Sequence, residues 1–448
     1  MTNVRLRVLV VAGMLVGCDS PVTIPEPPVG SLDAQLRGSL GGWGVVPIGA
    51  MPPQPPAQVA LGRMLFFDKV LSGNRDVACG SCHDVSAALA DGRSLAVGTG
   101  GTGVGPARTL GIGRQFTPRS APTLLNGGLG LGSLFWDGRL AGLGGVVSGD
   151  TSVVFPPGLP NTLVAQAMMP VLDRREMRGE RGDRDADGRP NELALFGDKA
   201  HADIWDAVMR RLLAIQEYVA MFTAAFPAVP EPRFEHAARA IAVFQMEGFN
   251  RTRSPFDRYL DRDDQALTTE QKRGGLLFFG KARCSSCHNG PFLGGQGLAN
   301  VGAPQVGPGR SPGSPLDRGR GEFEADPFYR FAFRVAPLRN VELTAPYFHS
   351  GVYPTLEAVV KHYNNVPVAL ANYDPSQLAP DVRPLYRGDA ATTTAVLATL
   401  DGRLRQPLGL TDAETAQLVA FLKSLTDPAA RDLRSVAPVR VPSGLPIP

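Results

Sequence analysis

This 448-residue chain has little net charge and no long apolar run. Its formal charge of +3 disfavours nucleic acid as a partner, although a weakly basic surface can still steer an acidic protein. The apolar run Val8 to Val16 is shorter than the roughly 20 residues that a membrane-spanning helix needs. No extended alternating strand pattern occurs, so an all-β fold is disfavoured, while the 52 Gly and 40 Pro residues predict long loops.

The N-terminus has the order of features of an export signal. Arg5 and Arg7 precede the apolar run, and Gly17 and Cys18 follow it. Residues 15–18 resemble a bacterial lipobox, in which cleavage precedes an acylated cysteine. We expect a signal peptide over 1–17, lipidation at Cys18 and a Pro- and Gly-rich tether over 18–56, so the protein would lie on the periplasmic face, attached to a membrane by its lipid only. An ordinary cleaved signal or a short buried helix is the alternative.

The other four cysteines form two pairs, each followed directly by histidine. The motifs are Cys79-Gly80-Ser81-Cys82-His83 and Cys284-Ser285-Ser286-Cys287-His288. This pattern is typical of c-type haem attachment, in which two thiols bind the vinyl groups and the histidine binds the iron. A redox dithiol, a four-cysteine zinc site or two disulfides would not require the repeated histidine. We therefore predict two covalently bound haems.

Similar apolar segments precede the two motifs. Residues 61–67 read LGRMLFF and residues 273–279 read RGGLLFF, so one helix-then-haem unit occurs twice. Residues 201–222, 233–249 and 412–425 carry apolar side chains at helical spacing. The prediction is a mainly α fold with long loops, in which two cytochrome c-like domains, 57–263 and 264–448, are related by an internal repeat.

Few residues are available as further iron ligands. Between His83 and His201 there is no histidine, and the nearest methionines are Met168, Met169 and Met177. No methionine follows Cys287, so the second half cannot supply a methionine ligand to its own haem. His349, His362 and several tyrosines remain as candidates there.

Several ordered segments resemble the di-haem cytochrome c peroxidase and MauG family over about residues 57–427. The matching segments are residues 61–67, Ala121-Pro122-Thr123-Leu124-Leu125-Asn126, Phe135-Trp136-Asp137-Gly138-Arg139, residues 254–260 and residues 337–351. The resemblance implies that peroxide reacts at the N-terminal haem and that the C-terminal haem exchanges electrons with it through Trp136. The insertions and the lipoprotein signal are similar to the MbnH-like branch, whose enzyme oxidises a tryptophan of a partner protein.

The resemblance also implies the residues of the peroxide pocket. Glu176 falls where the family has its acid-base glutamate, which takes a proton from bound peroxide and returns it to the leaving oxygen. Gln166 and Pro170 match the other residues of a MauG-like pocket. Many family members close the first haem with a loop histidine, but residues 98–115 contain none. An open first haem is therefore expected.

The resemblance further assigns Tyr363 as the second ligand of the C-terminal haem. The family's peroxidases place a methionine fourteen residues after the histidine that matches His349, MauG has tyrosine there, and the count ends on Tyr363. The neighbouring His362 is the main rival. Because adjacent helical residues point about 100° apart, only one of the two can face the iron.

Calcium is expected at two places. The family binds one ion between its haems through positions that match Ser120, Thr344 and Pro346, although its usual asparagine is Ser120 here. In an insertion over 178–200, Asp183, Asp185 and Asp187 have the spacing that begins a calcium loop, but Ala194 stands where the loop would have its bidentate glutamate. A solvated acidic loop is the alternative for the second place.

Three functions follow as hypotheses. The first is a peroxidase that reduces hydrogen peroxide with electrons from a small cytochrome c or copper protein. The second is a MauG-like oxidase that uses peroxide to modify a tryptophan or tyrosine of a partner protein. The third is a non-enzymatic electron-transfer cytochrome, which the absence of a closing loop histidine disfavours.

Overall fold

A computed structural model describes residues 30–143, 146–149, 152–311 and 313–448. The expected signal peptide and the acylated Cys18 lie outside these residues. The α-helices, in chain order, are α1 Leu32–Gly41, α2 Pro56–Phe67, α3 Cys79–Cys82, α4 Thr162–Ala167, α5 His201–Leu213, α6 Gln216–Ala225, α7 Phe234–Gly248, α8 Pro255–Leu260, α9 Thr269–Phe279, α10 Leu356–Asn364, α11 Val366–Ala371, α12 Ala390–Ala398 and α13 Asp412–Ser424. The mainly helical class is thus confirmed.

The strands are short and antiparallel. They are β1 Ser133–Leu134, β2 Leu140–Leu143, β3 Val146–Gly149, β4 Leu298–Ala299, β5 Gln305–Val306, β6 Phe333–Arg334 and β7 Tyr386–Arg387. β1, β2 and β3 form one sheet in that order, with Ser133 opposite Ala141, while β4 pairs with β6 and β5 with β7. The pairs β4–β6 and β5–β7 join segments that are distant in sequence.

Helix α2, which precedes the first haem motif, packs directly against α7. Gly62 permits this approach, because a Cβ atom there would lie 1.9 Å from the carbonyl oxygen of Ala240. Phe66 makes edge-to-face contacts with Phe244 and Phe249 at centroid distances of 5.6 and 5.3 Å. This packing places the end of α2 beside α3, which carries Cys79 and Cys82.

The second haem motif is positioned by an equivalent helix pair. A Cβ atom on Gly274 of α9 would lie 1.9 Å from the carbonyl oxygen of Gln417 in α13. Phe278 contacts Phe421 of α13 at 5.2 Å. Both helices start with a capping box, formed by Thr268 with Gln271 and by Thr411 with Glu414.

Helix α1 corrects part of the predicted tether. Its Leu36 and Leu40 are buried in the core of the second half, and a Cβ atom on Gly275 of α9 would lie 2.9 Å from Leu36. Lys272 forms an ion pair with Asp33 at 2.8 Å. The tether prediction is therefore wrong for residues 32–41. Their apolar stripe consists mainly of Leu36 and Leu40, and it is too short to stand out in a segment rich in glycine and proline.

The packing also departs from the predicted domain boundaries. Phe256 and Tyr259 of α8, assigned to the first domain, are buried in the second core. Conversely, Leu433 and Val441, near the C-terminus, are buried in the first core. The chain end thus returns to the first core. The sequence does not predict this return, because contacts between residues so far apart leave no local pattern.

The helical pattern predicted over 201–222 is interrupted at Ala214 and Ile215, between α5 and α6. In the part of the chain that the structure describes, no helix combines the length and the apolar character needed to cross a membrane.

Candidate functional site: two cavities beside the cysteine motifs

The first cavity lies at the end of α2 and brings together the residues of the predicted peroxide pocket. Its walls include Cys79, Cys82, His83, Trp136, Gln166, Pro170 and Glu176. These residues come from α3, from the loop before β2, from α4 and from the segment that follows α4. Within the described ranges, His83 is the only histidine that lines this cavity. Met177 also lines it, whereas Met168 and Met169 do not.

The second cavity lies at the end of α9, beside the other cysteine motif. Its walls include Cys284, Cys287, His288, His349 and Tyr363. Because each cysteine pair lines its own cavity, the four thiols cannot share one zinc ion. All four are free of disulfides, which removes another alternative for the motifs.

The two motif histidines are oriented alike. His83 Nδ1 lies 2.9 Å from the carbonyl oxygen of Leu89, and His288 Nδ1 lies 3.1 Å from that of Leu293. The carbonyl oxygen accepts a hydrogen bond from Nδ1–H, which leaves Nε2 as the free metal-binding nitrogen. Burial lowers the pKa of His288 to about 4, so the ring is held neutral, as an iron ligand must be. The residues of both motifs fit covalently attached haem.

Glu176 is held on a single π-helical turn, Arg174–Arg178, at the wall of the first cavity. Asp173 caps this turn, because its Oδ1 accepts from the backbone N–H groups of Arg175 and Glu176 at 2.8 and 3.3 Å. Burial and the neighbouring Asp173 raise the pKa of Glu176 to about 7, with Arg139 and Arg310 opposing the rise. The carboxyl group can therefore both accept and donate a proton near neutral pH.

Trp136 lines both cavities. Its indole Nε1–H donates to the carbonyl oxygen of Ser120 at 2.9 Å. The next residue, Asp137, is fully buried and forms ion pairs with Arg119 at 2.5 Å and Arg139 at 3.0 Å. These charged contacts fix the turn that carries Trp136.

Tyr363 and its neighbour His362 face different surroundings. Tyr363 lines the second cavity, whereas His362 does not. His362 is buried with both nitrogens occupied, Nδ1 by the Tyr353 hydroxyl at 2.9 Å and Nε2 by the carbonyl oxygen of Val301 at 2.8 Å. Burial raises the pKa of the Tyr363 hydroxyl well above its ordinary value, so a cation would be needed to stabilise its phenolate.

Sequence reasoning missed the charged groups that come from distant loops. Arg334 of β6 lines both cavities, and burial lowers its pKa to about 10. Its Nη1 donates to the carbonyl oxygen of Ser133, while its Nε is buried without a hydrogen-bond partner. Such a group fits the carboxylate of a cofactor. Arg310 also lines the first cavity, but no motif marks either arginine.

The acidic insertion has arginine partners for its carboxylates. Arg114 donates to both oxygens of Asp183 at 2.7 and 2.8 Å, and Arg75 lies 3.5 Å from Asp185 and 3.6 Å from Asp187. Within the described ranges, no group of three or more His, Cys, Asp or Glu side chains is arranged to hold a metal ion. The calcium site in this loop therefore stays a prediction, and the arginine contacts support the alternative of a loop whose carboxylates are paired with cationic side chains.

The other expected calcium position remains a prediction. Ser120, Thr344 and Pro346 all line the second cavity. The Ser120 hydroxyl donates to the carbonyl oxygen of His349 at 3.2 Å, and that of Thr344 donates to Val341 at 3.0 Å. His349 itself stacks on Phe333 at a centroid distance of 3.6 Å.

Comparison with known proteins identifies the family. A family model described as di-haem cytochrome c peroxidase matches residues 56–265. The chain is 33% identical to the cytochrome c551 peroxidase of Pseudomonas aeruginosa over 362 residues, which cover 80% of this chain and 83% of that protein. It is also 30% identical to the methylamine utilization protein MauG of Methylorubrum extorquens over 312 residues, or 69% of each chain.

A solved structure supports the same assignment. A MauG-like protein associated with microbial copper homeostasis superposes with a TM-score of 0.58 at 26% identity, covering 86% of this chain and 94% of that one. The chain belongs to the di-haem cytochrome c peroxidase family and is an oxidoreductase.

Proposed function

We propose that this protein is a di-haem peroxidase whose first cavity binds hydrogen peroxide and whose second cavity passes electrons to it. The observation that carries the proposal is that Glu176, Gln166, Pro170 and Trp136 share one cavity with the Cys79–His83 motif. Cys79, Cys82 and His83 would hold one haem, and Cys284, Cys287 and His288 the other. When bound, the haems supply redox-active iron that receives electrons and delivers them to peroxide.

The chain's own residues perform the proton transfer. Glu176 in its carboxylate form can take the proton from the near oxygen of peroxide and return it to the far oxygen, which then leaves as water. Its pKa of about 7 suits both steps. Among the residues that the structure describes, no histidine other than His83 lines this cavity, which supports an open first site.

Trp136 is proposed as the electron relay between the cavities. An indole is readily oxidised, and Trp136 lines both cavities. Tyr363 is proposed as the second protein ligand of the C-terminal haem, because it lines the cavity while both nitrogens of His362 are occupied. The matching contacts of Gly62 and Gly274 support an internal repeat of the haem-binding unit.

We further propose that the enzyme oxidises a residue of a partner protein. A hard phenolate ligand from Tyr363 suits storage of oxidising equivalents more than simple electron supply. The alternative, peroxide disposal with electrons from a small redox protein, is favoured by the 33% identity to a cytochrome c551 peroxidase. Export with lipidation at Cys18, and calcium at Ser120, Thr344 and Pro346, remain parts of this proposal.

Replacing Glu176 with glutamine tests the proposal. Glu176→Gln should slow the peroxide step, followed by stopped-flow absorption of the di-haem protein, by roughly 10²–10⁴-fold. The wild-type rate should rise as pH increases through about 7, because the carboxylate is the proton acceptor. The variant should lose this dependence.

Glu180→Gln is the matched control, because Glu180 lies in the same segment with a side chain that is 55% exposed. It should leave the rate and its pH profile unchanged. A Glu176→Gln variant that reacts as fast as wild type would exclude Glu176 as the proton-transfer group.

A further inference from the structure

The three tryptophans of the chain occupy different environments. Trp205 is buried, donates its Nε1–H to the carbonyl oxygen of Met168 at 2.9 Å and stacks near Phe155 and Phe234. Trp136 lines both cavities. Trp43, in the loop that follows α1, is 36% exposed. It is thus the tryptophan that presents a readily oxidised ring to solvent.

Trp43 is linked to the ligand of the second haem by hydrogen bonds. The backbone N–H of Gly290 donates to the carbonyl oxygen of Trp43 at 2.9 Å, and that of Leu293 donates to Gly290 at 3.2 Å. The His288 Nδ1 in turn lies 3.1 Å from the carbonyl oxygen of Leu293. Three successive hydrogen bonds therefore join the Trp43 backbone to the imidazole ring. A second route runs through the two peptide bonds between Gly290 and His288.

The position of Trp43 is fixed by the surrounding fold. Leu40 and Val45, which flank it, are both buried in the second core. Within α1, Arg37 pairs with Asp264 and lies 4.2 Å over the ring of Tyr259. These contacts, together with the hydrogen bond from Gly290, anchor the backbone of Trp43 beside the second haem motif.

We propose that Trp43 is a surface relay that passes electrons from a donor molecule to the second haem site. The proposal rests on the proposed peroxidase function, in which hydrogen peroxide is the oxidant. Each peroxide takes up two electrons and two protons to give two waters. The Trp43 indole loses one electron to the second site and regains one from the donor, twice per peroxide, so Trp43 itself is unchanged over the cycle.

Without a donor, the oxidised indole should react with water. Loss of two electrons and two protons, with gain of one water, leaves a tryptophan heavier by one oxygen atom. We therefore treat the di-haem protein with hydrogen peroxide alone and map tryptophan oxidation by peptide mass spectrometry. Trp43 should gain oxygen, while the buried Trp205 should not.

A Trp136→Phe variant separates internal relay from direct attack by peroxide. It should lower Trp43 oxidation, since the oxidising equivalents would no longer pass efficiently from the first cavity to the second. If wild type consumes peroxide but Trp43 is unmodified, or is modified equally in Trp136→Phe, the relay is excluded while the peroxidase proposal stands. If wild type consumes no peroxide, the peroxidase proposal itself fails, and the relay fails with it.

Donor kinetics give a second readout. With a reduced monohaem cytochrome c as the probe, Trp43→Phe should slow donor oxidation by at least about tenfold. Trp43→Tyr, which restores an oxidisable ring, should recover much of the rate. Val46→Ala, at a residue that is 50% exposed three positions away, is the matched surface control and should behave as wild type. Equal rates for Trp43→Phe and wild type, with the probe oxidised by both, would overturn the relay.

Discussion

At the scale of single residues, Tyr363 allows the sharpest test of the second site. Tyr363 lines the cavity that contains His288, and no methionine follows Cys287. Tyr363→Phe removes the only oxygen of this side chain and should therefore change the low-spin electron paramagnetic resonance signal of the di-haem protein. The visible absorption spectrum should change with it.

His362→Gln is the control for this prediction. It removes the imidazole next in sequence, whose nitrogens contact Tyr353 and Val301. The variant should lose some stability but keep the low-spin signal. The reverse pattern, with the signal altered by His362→Gln and unaffected by Tyr363→Phe, would assign the ligand to His362.

Residues with a fixed spacing could be recognised from the sequence alone. The two cysteine motifs are local, and the resemblance to the family supplies the fourteen-residue interval that ends on Tyr363, a residue that lines the second cavity. Arg334 could not be recognised, because it reaches the cavities through the pairing of β6 with β4 and has no surrounding motif. The ion pair between Arg114 and Asp183 could not be recognised either, since the two residues lie far apart in sequence.

At the scale of elements, two glycines control how closely the helices beside each haem motif pack. Gly62→Ala should destabilise the protein by about 1–3 kcal/mol, because the added Cβ would lie 1.9 Å from the Ala240 carbonyl oxygen and force α2 and α7 apart. Chemical denaturation of the di-haem protein measures the effect. Gly38→Ala in α1 is the control, since nothing lies within 4 Å of its Cβ position.

Gly38→Ala should leave the free energy of unfolding unchanged or raise it by roughly 0.5–1 kcal/mol, the usual gain for alanine inside a helix. Equal free energies of unfolding for Gly62→Ala and Gly38→Ala would show that the close contact between α2 and α7 does not contribute to stability.

The sequence predicted helices correctly where apolar residues recur at regular helical spacing over a long segment. The pattern over 233–249 became α7, and that over 412–425 became α13. It failed for α1, whose buried face rests mainly on Leu36 and Leu40. It also could not foresee the π-helical turn at Arg174–Arg178, since such turns depend on tertiary packing and have no local sequence signal.

At the scale of the whole molecule, the chain end fastens the two halves together. The Arg63 guanidinium of α2 donates to the carbonyl oxygens of Val436 at 2.8 Å and Ala437 at 2.7 Å. Ser443 donates its hydroxyl to Asp68 at 2.6 Å. Because the first core contains residues near the C-terminus and the second core contains residues of α1 and α8, each half depends on segments outside its predicted bounds for its packing.

The two cysteine motifs predict the haem content of the whole protein. The mature protein, produced with a cytochrome c maturation system, should have an intact mass that includes two haems, because both motifs retain every attachment group. Its resting ferric state should show one high-spin and one low-spin electron paramagnetic resonance signal, since no second histidine from the described part of the chain lines the first cavity. Mutating Cys79 and Cys82 together to alanine should remove one covalent haem and the high-spin signal. Loss of the low-spin signal instead would mean that the open site lies in the second half. Two low-spin signals in the wild type would show that the first site is closed, and Met177, which lines that cavity, would then be the ligand to examine.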